Sequence, residues 1–186
     1  TYPIQNPVES DEFNTPQLGK QWQWHANYSQ YYGQPTPYGF FRMYTHKLSE
    51  NFVNLWEAPS LLLQKTPADA FTATTKIKLA AKSEGQFGGL IMMGRGYSAL
   101  VVKRVGDAFH LQQLTCNKAD GNKAEEVKVI AELKPTEIDK INYEPAIYEE
   151  IYFRLTVKDG AKMTFAYSLD GKKFKNAGNE FQMREG

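Results

Sequence analysis

Phe71-Thr72-Ala73-Thr74-Thr75-Lys76-Ile77-Lys78-Leu79-Ala80-Ala81 places apolar and polar side chains in near-strict alternation. Successive strand residues point to opposite sides, so Phe71, Ala73, Thr75, Ile77 and Leu79 share one face, and Thr72, Thr74, Lys76 and Lys78 share the other. The pattern predicts a strand buried on one side. Ile147 to Lys158 repeats it, with Ile147, Ile151, Phe153, Leu155 and Val157 inward and Tyr152, Arg154, Thr156 and Lys158 outward. Met163, Phe165, Tyr167 and Leu169 form the next inward set. Asp159-Gly160 and Asp170-Gly171 accept the backbone of tight hairpin turns, which gives a three-stranded meander ending around Lys173 to Lys175.

The middle of the chain continues in the same way. Phe87 to Gly94, Tyr97 to Val105 and Phe109 to Cys116 are apolar runs separated by Arg95-Gly96 and Gly106-Asp107. Gly88-Gly89 within the first run predicts a bulge or the close approach of another backbone or a ligand. Asn117 to Lys123 reads as a polar loop, and Pro135-Thr136-Glu137-Ile138 offers the start of one helical turn within Lys134 to Pro145. Many short antiparallel strands predict an all-β fold, a two-sheet antiparallel β-sandwich of jelly-roll or lectin-like type. Its core should contain Phe71, Ile77, Leu79, Ile151, Phe153, Leu155, Met163 and Phe165.

Composition narrows the function classes. At 186 residues the chain can bury a core without metal or disulfide staples. A net charge of +1 with scattered charged residues offers no basic stripe for nucleic acid or an anionic membrane. The single cysteine, Cys116, excludes an internal disulfide and reads as a buried small hydrophobe. No apolar run reaches the roughly 20 residues of a membrane span, and no signal-peptide pattern opens the chain at Thr1.

Leu18 to Ala26 reads Leu-Gly-Lys-Gln-Trp-Gln-Trp-His-Ala, followed by Tyr28, Tyr31, Tyr32 and Tyr38. On a strand, Trp22 and Trp24 share one side, with Gln21, Gln23 and His25 on the other. An indole presents a flat apolar face that suits the C–H face of a sugar ring, while amides and imidazoles can bond its hydroxyls. The competing expectation is that the tryptophans are core residues of the sandwich. Arg42 and Tyr44 share a strand face, and Gln64 closes the apolar run Leu61-Leu62-Leu63. Such polar groups must either find internal partners or meet ligand hydroxyls. The candidate carbohydrate site is therefore Trp24, His25, Tyr31, Tyr32, Arg42 and Gln64 lining one depression, with Tyr38 at its lip.

Several blocks taken in order carry a family resemblance. They are Ser10-Asp11-Glu12-Phe13-Asn14, Leu18 to Trp24, Phe41-Arg42-Met43-Tyr44, Asn54-Leu55, Leu61-Leu62-Leu63-Gln64-Lys65, Phe71 to Lys76 and Tyr167-Ser168-Leu169-Asp170-Gly171-Lys172-Lys173-Phe174. Together they resemble the concanavalin-like β-sandwich at the carboxyl end of glycoside hydrolase family 43 enzymes. The resemblance implies an accessory domain of β-xylosidases and α-L-arabinofuranosidases, whose catalytic carboxylates belong to a five-bladed propeller preceding the sandwich. It implies as partners that propeller and a plant cell-wall polysaccharide or oligosaccharide containing xylose or arabinose. Residues 1–9 then read as a linker from the preceding domain and 10–186 as the sandwich. The family pattern continues beyond Gln182-Met183 with a tryptophan-containing loop and a last strand, which this sequence lacks. At Ala26-Asn27-Tyr28 many relatives read Asn, His and Asn with a following proline. A secreted or periplasmic setting is the favoured expectation.

The residues themselves point away from catalysis. Glycosidases need two carboxyl groups roughly 5 to 9.5 Å apart across the scissile bond. Asp11-Glu12, Glu125-Glu126 and Glu149-Glu150 are adjacent pairs, and neighbours on a strand face opposite ways. His25, His46 and His110 lack metal spacing, and Ser98 lacks the glycine-flanked elbow of a serine hydrolase. No cofactor is expected. Sandwiches of this shape can hold a structural calcium between loops, but no Asp cluster of the expected density occurs. The leading expectation is a non-catalytic carbohydrate-associated module, with a purely structural brace for the propeller as the alternative and a self-contained hydrolase last.

Overall fold

The computed structural model describes residues 8–134 and 146–184, which fall into two compact units, one within Thr1–Pro67 and one within Ala68–Gly186. The second unit is built from eight strands: β5 (Phe71–Ala81), β6 (Phe87–Met92), β7 (Tyr97–Val105), β8 (Ala108–Cys116), β9 (Glu126–Leu133), β10 (Ala146–Lys158), β11 (Lys162–Ser168) and β12 (Lys175–Gln182). They form two antiparallel four-stranded sheets, ordered β12-β11-β10-β5 and β6-β7-β8-β9. This is the expected two-sheet sandwich.

One core joins the two sheets. Leu79, Ile151, Phe153, Leu155, Val157, Met163 and Phe165 from one sheet cluster with Leu100, Val102, Phe109, Leu111 and Leu133 from the other, and Phe71 and Ile77 pack against them half-buried. The alternation of β5 survives intact, with Phe71, Ala73, Thr75, Ile77 and Leu79 more buried than the residues between them. By contrast β7 is buried on both faces from Tyr97 to Val102, so its sequence is a continuous apolar run. The Gly88-Gly89 expectation resolves to close approach without a bulge. A Cβ on Gly89 would lie 2.1 Å from the Leu100 carbonyl oxygen, while the β6–β7 register runs unbroken. Cys116 is buried, with its Sγ 3.2 Å from the Lys123 carbonyl that it faces as donor.

Three expectations change. Leu169 is 57% exposed rather than inward, because β11 ends at Ser168. There the Asp170 carboxylate accepts hydrogen bonds from the Lys172 and Lys173 backbone N–H groups and the Ser168 hydroxyl, drawing the chain out of the sheet. The third meander strand consequently begins at Lys175 and runs to Gln182, instead of lying at Lys173 to Lys175. Glu126–Leu133 forms the edge strand β9, which alternation did not reveal. A register shift opposite Leu111/Gln112 moves its side chains between faces, and Val127 and Val129 are exposed. The helical turn expected at Pro135 to Ile138 and the inward Ile147 side chain lie outside the described residues.

The first unit is made of short strands: β1 (Trp22–Trp24), β2 (Gly33–Pro35), β3 (Phe41–Met43) and β4 (Leu62–Gln64), with a 3₁₀ turn at Leu55–Glu57. β1 pairs with β4, setting Trp22 opposite Gln64 and Trp24 opposite Leu62. β2 and β3 form a hairpin in which Gln34 faces Arg42. Asn54 starts the 3₁₀ turn, its side-chain oxygen accepting the Trp56 N–H at 2.9 Å.

Candidate functional site

Every candidate carbohydrate residue lies in the first unit, where strand parity sorts them onto different faces. Trp24 is half-buried in an aromatic cluster, with its ring edge-on to Tyr32 at 5.4 Å and 6.1 Å from Phe41. Trp22 is held as firmly. Its indole N–H donates to the Asp11 carboxylate at 2.8 Å, and its ring lies 5.6 Å from Phe13, which also meets Phe41. Asp11 further accepts the Phe13 backbone N–H at 2.7 Å. The tryptophan pair thus packs against neighbouring aromatics of the first unit, half-buried and outside the core between the two sheets.

Gln64 finds an internal partner as well, its Nε2 donating to the Glu9 carbonyl at 2.8 Å. His25 Nε2–H donates to the Trp56 carbonyl at 2.9 Å, and its ring meets the Trp56 indole edge-on at 5.4 Å. Tyr32 contacts the His46 ring, and His46 in turn donates to the Tyr31 carbonyl, while Tyr31 itself is 68% exposed.

Arg42 and Tyr38 belong to another surface. Phe41 points toward Trp24, so its neighbours Phe40 and Arg42 must face the opposite side of the hairpin. The Arg42 guanidinium lies over the Phe40 ring, 5.7 Å from its centroid. Tyr38 is stacked beside Phe40, the rings 6.3 Å apart and 18° from parallel. On the same face Gln34 donates to the Tyr44 hydroxyl at 3.2 Å. Tyr38 is 80% exposed, and Phe40 and Tyr44 are each 41% exposed. The structure therefore brings Trp24 and Tyr32 together, separates Arg42 and Tyr38 from them, and adds Phe40, Tyr44 and Gln34 to the latter pair.

The hairpin owes this face to its closing loop. Thr36 N–H and hydroxyl both donate to the Phe40 carbonyl, at 3.0 and 2.7 Å, which sets Pro35 opposite Phe41 and Gln34 opposite Arg42. The parity of Phe40, Arg42 and Tyr44 was visible in the sequence, whereas the addition of Gln34 needed that register. Elsewhere, the Glu125 carboxylate accepts a bond from the buried Tyr97 hydroxyl. Burial pushes the Glu125 carboxyl above the usual range, against the lowering influence of Tyr97 and Lys103. Among the described residues no cluster of His, Cys, Asp or Glu could hold a metal ion.

Solved structures share this architecture. A GH43_12 protein retrieved from capybara gut metagenome superposes with a TM-score of 0.69 at 19% identity, over 97% of this chain and 31% of its own. The Bacteroides ovatus xyloglucan PUL protein GH43B gives a TM-score of 0.63 at 16% identity, over 95% of this chain and 32% of its own. A GH43 glycoside hydrolase engineered for both endo-xylanase and exo-arabinofuranosidase activity gives 0.72 at 17% identity, over 100% of this chain and 36% of its own. The chain thus spans about a third of each of these proteins. No curated protein matches it in sequence. The family model of the β-xylosidase C-terminal concanavalin A-like domain matches residues 10–185, and the chain belongs to that family of domains from GH43 glycoside hydrolases.

Proposed function

We propose that this domain is the non-catalytic accessory module of a family 43 glycoside hydrolase of β-xylosidase or α-L-arabinofuranosidase type, acting in xylan or arabinoxylan degradation, and that it contacts glycan itself. The observation that carries the glycan contact is the exposed aromatic face of the β2–β3 hairpin, where Tyr38, Phe40 and Tyr44 stand beside Arg42 and Gln34. Flat apolar rings beside hydrogen-bonding groups are the combination that holds a sugar ring and orients its hydroxyls. The family and the activity of the engineered GH43 neighbour support a pentose-containing substrate.

A brace for a catalytic propeller is the second reading, favoured by the internal engagement of Trp24 and Gln64. Titration of the full chain with xylo-oligosaccharides and arabinoxylan, followed by NMR or affinity electrophoresis, separates the two. Weak binding, on the order of 0.1 to 1 mM, is expected for so exposed a site. It should be lost in Tyr38→Ala and kept in Trp24→Phe, which preserves an aromatic ring in the cluster. Absence of wild-type binding to either ligand supports the brace.

A further inference from the structure

The charge on the hairpin face carries the reading one step further. Arg42 is the only charged side chain of β2 and β3, and among the described residues no carboxylate pairs with it. Its guanidinium carbon lies over the Phe40 ring at 5.7 Å from the centroid, and both side chains are exposed, so the guanidinium N–H groups are open to a ligand. A planar guanidinium edge matches a carboxylate with two parallel hydrogen bonds, a geometry that a sugar hydroxyl cannot reproduce. Tyr38, stacked alongside Phe40, offers an exposed ring at the end of the same row. We propose that this face binds an acidic glycan: a uronic acid carboxylate on Arg42, with a neighbouring sugar ring stacked on Tyr38 and its hydroxyls within reach of Gln34 and Tyr44.

This assignment rests on the glycan-contact reading above and specifies its ligand by charge complementarity. Arg42 and Phe40 stand exposed on the hairpin surface, so replacing the arginine leaves the Trp24–Phe41 packing on the opposite face in place.

The test compares a neutral xylo-oligosaccharide with the same oligosaccharide bearing one uronic acid branch, titrated into the full 186-residue chain at low and high salt. The acidic ligand should bind about tenfold more tightly at low salt, the scale of one charge-assisted bidentate contact at an exposed site. Arg42→Gln should erase that preference, bringing the affinities for the acidic and neutral ligands together, and Arg42→Lys should restore part of it. Added salt should narrow the gap between the two ligands. Equal binding of both ligands, unchanged by Arg42→Gln, overturns the carboxylate assignment and leaves the glycan reading standing. Loss of binding to both ligands in the wild type overturns both. An unchanged amide spectrum in Arg42→Gln verifies that the variant is folded.

Discussion

At the residue scale, the core positions and the Glu125 carboxyl make opposite demands on the fold. Phe153 is fully buried between the sheets, so Phe153→Ala removes an aromatic ring and leaves a cavity that the strands cannot close. The expected loss is about 3 to 5 kcal/mol on denaturant melting, and a loss below about 1 kcal/mol would contradict the core assignment. Glu125 works through protonation. Its raised pKa means that the folded chain holds the proton more tightly than the unfolded chain, so the associated stability is present in acid and is lost as pH rises through the raised value. Glu125→Gln keeps a neutral acceptor for the Tyr97 hydroxyl at every pH. The melting temperature of the variant relative to wild type should therefore climb as pH rises from the ordinary carboxylate range through the raised value. A difference that is flat or falls over that range would refute the assignment. Asp170 runs the other way, since the Lys173 and Lys172 N–H groups and the Ser168 hydroxyl hold its carboxyl below the usual range and favour the ionised turn.

At the element scale, the two sheets are tied by polar bonds as well as by their core. Gln113 on β8 is buried, and its amide donates to the Ser98 hydroxyl at 3.1 Å and to the Asn179 carbonyl on β12 at 2.9 Å, while its oxygen accepts the Asn179 N–H at 2.8 Å. Gly178 makes room for this clasp. A Cβ there would lie 2.2 Å from the Gln113 oxygen, and the glycine φ is +76°. Gln113→Leu keeps the bulk and severs the bonds, so it should cost about 1 to 3 kcal/mol, the range for stranding buried polar groups. Calorimetry showing no loss would mean that packing alone holds β8 against β12. The same elements mark what the sequence disclosed. The half-buried strands β5 and β10 were legible because one face meets solvent, and the hairpins at Asp159-Gly160 and Gly106-Asp107 because of their turn chemistry. Neither β9 nor the full length of β12 was legible. The edge strand breaks its own alternation at a register shift, and β12 has only Ala177 and Phe181 buried among polar residues. The site was half legible for a related reason. Its residue types pointed to sugar chemistry, but whether Trp24 faced a ligand or Phe41 depended on the partners across the unit, which local spacing does not encode.

At the scale of the whole molecule, the acidic side chains decide whether the domain acts alone. Glycoside hydrolysis requires one carboxyl to give a proton and a second, facing it across the bond, to act as nucleophile or base. Several of the described acids are committed to other work. Asp11 holds Phe13 and the Trp22 indole, Glu57 accepts the Val53 N–H, Glu84 accepts the Gly106 N–H, Glu150 pairs with Lys76, and Asp170 closes a turn. Among the described residues only Glu125 has a carboxyl pushed toward the protonated form that a general acid needs. Its neighbour Glu126 starts β9 with an exposed side chain, paired at 3.9 Å with Lys123. Catalysis by Glu125 would need a second carboxyl facing it across the bond, and its sequence neighbour Glu126 is engaged elsewhere. Purified chain should therefore release no product from aryl xylosides or aryl arabinofuranosides at any pH between about 4 and 8, the span in which a carboxyl pair of this kind would work. Activity that survives repurification and disappears in Glu125→Gln, while the variant still melts cooperatively, would show that this domain carries a catalytic acid of its own.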